Sequence, residues 1–193
     1  MAELFTSWDI ALFYFVNRTL QNPVFDILMP FVTNKYNWII PVLLLYVWLW
    51  WKGGRTGWSA ALLIIPVIIL SDQISASLLK PFFHRTRPCV ALEDVHMLIG
   101  LKRSLSFPSS HATNMFAAAA LFAMFFPKGS RYYFGFAALV AYSRVYVGVH
   151  YPFDVFGGAL LGVAISIFVV WIWNLLIASR YEKWPQGQIL FRR

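Results

Sequence analysis

Five apolar runs dominate this chain, at residues 38–51, 58–79, 110–126, 131–149 and 152–178. A helix crossing a bilayer needs about 17–25 apolar residues, so the longer runs fit and the shorter ones must borrow flanking aromatic residues. Charged residues make up only 12% of the 193 positions and hydrophobic ones 60%. An ordinary soluble domain carries about twice that charged fraction. The pattern predicts an all-α fold, a polytopic transmembrane helix bundle of about five or six spans in one domain, residues 1–193. Trp8, Trp38, Trp50, Trp51, Trp58, Trp171, Trp173 and Trp184 fall mostly near run ends, as an interfacial aromatic belt does.

The first 33 residues read differently. Leu4 to Leu20 is apolar but carries Asp9, Asn17 and Arg18. Gln21-Asn22-Pro23 breaks it; Asn22 suits a helix cap and Pro23 the first helical position. This predicts two short helices, interfacial or partly inserted, with a sixth, broken span as the alternative.

A net charge of +8 raises nucleic-acid binding in a soluble protein. Here no basic stretch alternates with aromatics, so nucleic acid is excluded as a partner and the cations are read as loop residues that set topology. Lys52, Arg55, Lys128, Arg131, Arg180, Lys183, Arg192 and Arg193 share one side with only Glu182. The positive-inside rule makes that side cytoplasmic and puts the other loops on the outer face. Cys89 is the only cysteine, which rules out an intramolecular disulfide and a thiolate metal cluster. Glu3 and Asp9 replace the basic start of a cleavable signal peptide. The connection 89–107 is the longest between runs and reads as a lid or a substrate entrance.

Three polar clusters end apolar runs on that outer face: Lys80 to Pro88, Pro108 to His111, and Ser143 to Asp154. Alone, each has a plain structural reading as snorkelling cations or helix caps. Together they form a kit for gripping phosphate. Arg87 offers a planar fork and Lys80 a point charge. Ser109 and Ser110 open a run where free backbone N–H groups favour anions, and His111 can donate a proton to a leaving oxygen. His150 and Asp154 are four apart and share a helix face, so the carboxylate can fix one imidazole tautomer and leave the other nitrogen nucleophilic. Arg144 adds a further cation.

The ordered pattern K-x6-R-P, P-S-x-H, S-R-x5-H-x3-D resembles the type 2 phosphatidic acid phosphatase superfamily, which shares its site design with vanadium haloperoxidases. The resemblance covers about residues 58–178. It implies a membrane lipid phosphatase in which His150 attacks phosphorus, Asp154 orients it, and His111 protonates the leaving oxygen. Lys80, Arg87, Ser109, the Ser110 backbone N–H and Arg144 would hold the non-bridging oxygens. One departure is Ser110, where the family usually has Gly. No cofactor or metal is implied, because three cations neutralise the oxygens. The expected partner is a lipid phosphate arriving through the bilayer; no obligate protein partner is inferred. Undecaprenyl diphosphate is the expected substrate, with lipid A 1-phosphate or phosphatidylglycerol phosphate as alternatives, at the outer face of a bacterial inner membrane. Competing readings are a metallohydrolase on His111, His150 and Asp154, a serine hydrolase on Ser109, and a non-enzymatic lipid carrier.

His84 and His96 are expected to be solvated or lining residues. Asp72, inside an apolar run with Ser71, Gln73, Ser75 and Ser77, is expected to be buried in a hydrogen-bond cluster. Gly158 and Gly162 form a small-xxx-small pattern that predicts close helix packing.

Overall fold

A computed structural model describes residues 2–178. The described residues are all-helical: α1 (Ala2–Tyr14), α2 (Pro23–Thr33), α3 (Ile39–Lys52), α4 (Gly54–Gln73), α5 (Lys80–Phe83), α6 (Pro88–Ala91), α7 (Ser110–Phe125), α8 (Ser130–Tyr146) and α9 (Pro152–Ala178). The tail residues Arg180, Glu182, Lys183, Trp184, Arg192 and Arg193 lie outside the described residues.

Helix boundaries follow local chemistry. Asn22 caps α2, its side chain accepting the Phe25 N–H at 3.0 Å, and Pro23 takes the first helical position. The predicted break between two N-terminal helices is therefore present. A π-helical turn, Phe15–Thr19, ends the first, and another, Ile74–Leu79, joins α4 to α5. The run at 58–79 extends at both ends, so the helical path continues from Gly54 to Phe83.

The centre of the bundle is α4, α7 and α9, packed through Leu63, Val67, Ala117, Leu121, Ile165, Val169 and Val170. Helices α7 and α9 approach closely because Gly158 and Gly162 present bare backbone. A Cβ at Gly162 would stand 2.2 Å from the Thr113 carbonyl oxygen, and one at Gly158 would stand 2.6 Å from that of Ser109. The small-residue pattern thus marks a real contact.

The outer surface is apolar. On α3, Ile40, Leu43, Leu44, Val47 and Trp51 are all exposed. Exposed apolar surface of this extent is costly in water and ordinary in lipid. Two helical stretches, Gly54–Ala91 and Pro152–Leu176, are long and apolar enough to cross a membrane. Helices α3, α7 and α8 have 14, 16 and 17 residues. Asp72 departs from expectation: it is exposed on α4, and its backbone carbonyl accepts Ser75 Oγ at 3.2 Å.

Chain direction places the ends of α4–α5, α7, α8 and α9 that carry the three clusters together. The turns with Lys52, Arg55, Lys128 and Arg131 lie at the opposite helix ends.

Candidate active site

His150 occupies the tight turn between α8 and α9. Gly148 makes that turn, with φ +84°, a conformation other L-residues resist. A Cβ there would also stand 2.7 Å from Val95 Cγ1. His150 is 1% exposed. Its Nδ1 lies 3.3 Å from Asp154 Oδ2, and its Nε2 lies 2.8 Å from Arg87 Nη1. A guanidinium can only donate, so Nε2 must accept and the ring proton sits on Nδ1, facing the carboxylate. Burial, then Arg87, Arg144 and Lys80, hold the imidazole well below the usual histidine range. The ring is neutral, with its reactive lone pair on the cation side.

Asp154 sits in the first turn of α9, fully buried. Its Oδ2 accepts the Tyr151 N–H at 2.9 Å, the reach-back bond of a capping box. Ser106 Oγ also donates to Oδ2 and lies 3.4 Å from His150 Nδ1. Oδ1 accepts Arg85 Nη1 at 2.8 Å. Arg85 and Ser106 were not singled out from sequence. Arg85 falls among the six unspecified positions of the first motif, and Ser106 lies two residues before the second. Their contacts span 69 and 48 residues, beyond any helical periodicity.

Arg87 stands at the Nε2 side of His150, and Arg144, Lys80 and His111 also lie near enough to act on the ring electrostatically. Arg87 is braced by the carbonyls of Ser104 at 2.7 Å and Val149 at 2.8 Å and by Ser104 Oγ at 3.1 Å. Lys80 reaches the carbonyls of Leu105, Ser106 and Pro108 at 3.0, 3.3 and 2.9 Å, so it clamps the segment leading to α7 while contributing charge. Arg144 Nη1 donates to Thr33 Oγ1 at 2.6 Å. Its Nε and Ser109 Oγ are buried without a hydrogen-bond partner among the described residues. Ser109 is the N-cap of α7 yet makes no side-chain cap bond. Its own N–H goes to the Asp154 carbonyl at 2.9 Å, tying α7 to α9. Ser110 accepts a hydrogen bond from Ser75 Oγ at 3.0 Å, which turns its side chain toward the α4–α5 segment. His111 is half-buried in the first turn of α7. All eight residues singled out from sequence thus meet at one end of the bundle.

The connection 89–107 is pinned. Asn17 Nδ2 donates to the His96 and Tyr146 carbonyls at 2.8 and 2.7 Å. Tyr14 OH donates to the Glu93 carbonyl at 2.9 Å, and Arg18 to that of Asp94. His96 pairs with Asp26 at 2.9 Å, where Tyr146 OH also donates at 2.7 Å. His96 is therefore a tether; His84 is exposed at a left-handed turn with φ 47°.

Known proteins share this chain's sequence and fold. The lipid A 4'-phosphatase of Porphyromonas gingivalis is 30% identical over 78% of this chain and 66% of its own length. The undecaprenyl-diphosphatase BcrC of Bacillus subtilis is 31% identical over 76% of this chain and 74% of its own. The crystal structure of Aquifex aeolicus LpxE superposes with a TM-score of 0.69 at 28% identity, covering 83% of this chain and 93% of that one. The profile of the PAP2 superfamily matches residues 61–177, the segment that carries every one of the eight residues, and the chain belongs to that family.

Proposed function

We propose that this chain is a metal-independent lipid phosphatase working through a phosphohistidine. The observation that carries the reading is the polarity of His150: Nδ1 faces Asp154 and Nε2 faces Arg87. A substrate phosphate draws Arg87 from Nε2 to its own oxygens, which frees the lone pair as negative charge arrives. Nε2 attacks phosphorus, the bond to the lipid oxygen breaks, and His111 supplies the proton that oxygen needs. Asp154 stabilises the charge that develops on the imidazole. Water, deprotonated by His111, then displaces the phosphoryl group and releases phosphate. Lys80, Arg87, Ser109, the Ser110 N–H and Arg144 hold the non-bridging oxygens. Cations in this number do the work of a metal ion.

In-line displacement sets the leaving oxygen on the extension of the Nε2–phosphorus axis. The lipid therefore approaches from the side opposite Asp154 and arrives laterally from the bilayer. The preferred substrate is undecaprenyl diphosphate, supported by the relatives that carry that name; lipid A phosphates are the second reading, supported by relatives named for them. The site lies at the outer face of the inner membrane of a bacterium, in a bundle of five spans with α1 and α2 at the interface. Exposed Lys52, Arg55, Lys128 and Arg131 at the far end support that orientation.

The test is phosphate release by purified protein in detergent from undecaprenyl diphosphate, lipid A 1- and 4'-phosphates, phosphatidylglycerol phosphate and phosphatidic acid, in excess chelator. Turnover should be highest on the diphosphate and should vanish in His150→Ala. An acid-labile, base-stable phosphoprotein should be trapped during turnover. Loss of activity in chelator, or near-normal activity in His150→Ala, would refute the mechanism.

A further inference from the structure

We infer that Arg85 and Asp9 are positioning residues of this reaction and that helix α1 is thereby part of the catalytic apparatus. The inference rests on the proposed role of Asp154.

Asp9 lies in α1, at 0% exposure within an apolar segment. A buried carboxylate is tolerated only when paired and hydrogen-bonded. Asp9 has both kinds of partner. Its Oδ2 meets Arg85 Nη2 at 2.6 Å, and its Oδ1 accepts the Phe153 N–H at 2.9 Å. Phe153 stands in the first turn of α9, one of the N–H groups a helix cannot satisfy internally. The other Arg85 nitrogen, Nη1, holds Asp154 Oδ1 at 2.8 Å. The guanidinium itself lies over the Tyr151 ring, 4.0 Å from its centroid. One Arg thus spans two carboxylates while an aromatic face fixes its plane. Asp9 fixes the same turn of α9 a second time through the backbone.

The charges also make sense. Arg85 alone would neutralise Asp154 and weaken its hold on a positive imidazole. Asp9 shares that cation, so the trio keeps a net negative charge beside Nδ1. Ser106 and the Tyr151 N–H complete the shell around Oδ2. Asp9 and Arg85 border a cavity of about 360 Å³ that Thr6, Phe83, Phe107 and Phe153 also line. Arg85 holds Asp154, which faces Nδ1 of the ring, so Arg85 stands behind the nucleophile and outside the phosphate's path.

This placement separates positioning from binding. Arg85→Ala and Asp9→Ala should lower kcat by about 10- to 100-fold, the usual cost of losing a partner that orients a reactive group, with KM within about twofold. The double variant should lose less than the product of the two single losses, because both residues act on one turn through a shared ion pair. Arg85→Lys keeps the charge without the fork and should restore only part of kcat. Asp9→Asn keeps an acceptor for Phe153 while it removes the charge and replaces the acceptor facing Arg85 with an N–H donor. It should retain more activity than Asp9→Ala while the acid limb of kcat/KM moves to lower pH. Thermal unfolding and vanadate binding identify loss of fold: the kcat losses should persist in variants that remain folded and bind vanadate normally. Full activity in Arg85→Ala, a raised KM with unchanged kcat, or multiplicative losses in the double variant would overturn the inference while leaving an active wild type intact. A wild type inactive on every lipid phosphate would overturn the functional reading itself.

Discussion

Gly162→Ala adds one methyl group and should disable the site from about two helical turns away. The new Cβ would stand 2.2 Å from the Thr113 carbonyl oxygen and 2.8 Å from the Ala117 nitrogen, both backbone atoms of α7. Neither can swing aside as a side chain would. A non-bonded carbon needs more than about 3 Å from oxygen, so α7 must retreat from α9 by about 1 Å in a close-packed interior. Helix α7 carries Ser109 and His111, and α9 carries Asp154. The bond from the Ser109 N–H to the Asp154 carbonyl, 2.9 Å long, is the strut between them. Overpacking costs about 1–3 kcal/mol, offset by about 0.8–1 kcal/mol because Ala favours helix over Gly. Net stability should fall by no more than about 2 kcal/mol. A displacement of about 1 Å between catalytic groups costs about 100-fold in rate. Activity should therefore fall far more than stability. The assay is lipid phosphate release alongside a thermal melt. Gly135→Ala, where nothing lies within 4 Å of the added Cβ, is the control and should keep full activity. If Gly162→Ala matched Gly135→Ala in rate, the close approach of α7 and α9 would not be what sets the site.

Two further outcomes follow from local geometry. Asn22→Ala removes the cap that accepts the Phe25 N–H and should cost about 0.5–2 kcal/mol, read as a lowered melting temperature; an unchanged melt would mean α2 does not depend on its cap. Because burial and neighbouring cations hold His150 well below the usual histidine range, it stays deprotonated as pH falls through that range. The acid limb of kcat/KM should therefore appear only below the ordinary value of 6.5, and a midpoint at or above 6.5 would contradict the assigned environment.

What could be read in the sequence was whatever acts over short separations. His150 and Asp154 are four apart, and Ser109 to His111 open one helix, so motif and helical period bring each group together before any tertiary contact forms. Asn22 and the Gly158–Gly162 spacing were readable for the same reason. The Asp9–Arg85–Asp154 chain was not, since its links span 76 and 69 residues. A trace of it was visible all the same: Asp9 and Asn17 sit in an apolar run, where a polar side chain survives only with partners. Both prove fully buried, one on Arg85 and Phe153, the other on His96 and Tyr146. Asp72 failed under the same rule. Its carboxylate lies on the exposed side of α4, and only the helix path beyond the apolar run decides which face that is.

The cation cluster implies a test that needs no lipid. Lys80, Arg87 and Arg144 are 8%, 6% and 5% exposed, and none has a carboxylate within 4.0 Å among the described residues. Buried like charges raise the energy of the fold that holds them, and the partnerless Arg144 Nε and Ser109 Oγ add about 1–3 kcal/mol each. A tetrahedral oxyanion relieves all of these costs at once, and the unfolded chain offers it no such site. Inorganic phosphate or vanadate should therefore stabilise the protein by RT ln(1 + [L]/Kd), about 2.7 kcal/mol at a hundred times Kd. A thermal melt across an anion titration reads this directly. Arg87→Ala, which removes a donor and a charge, should weaken the response, whereas Asn22→Ala should lower the melt and leave the response intact. A melt indifferent to both anions, or one shifted equally in Arg87→Ala, would mean that the cluster serves the fold and does not grip phosphate.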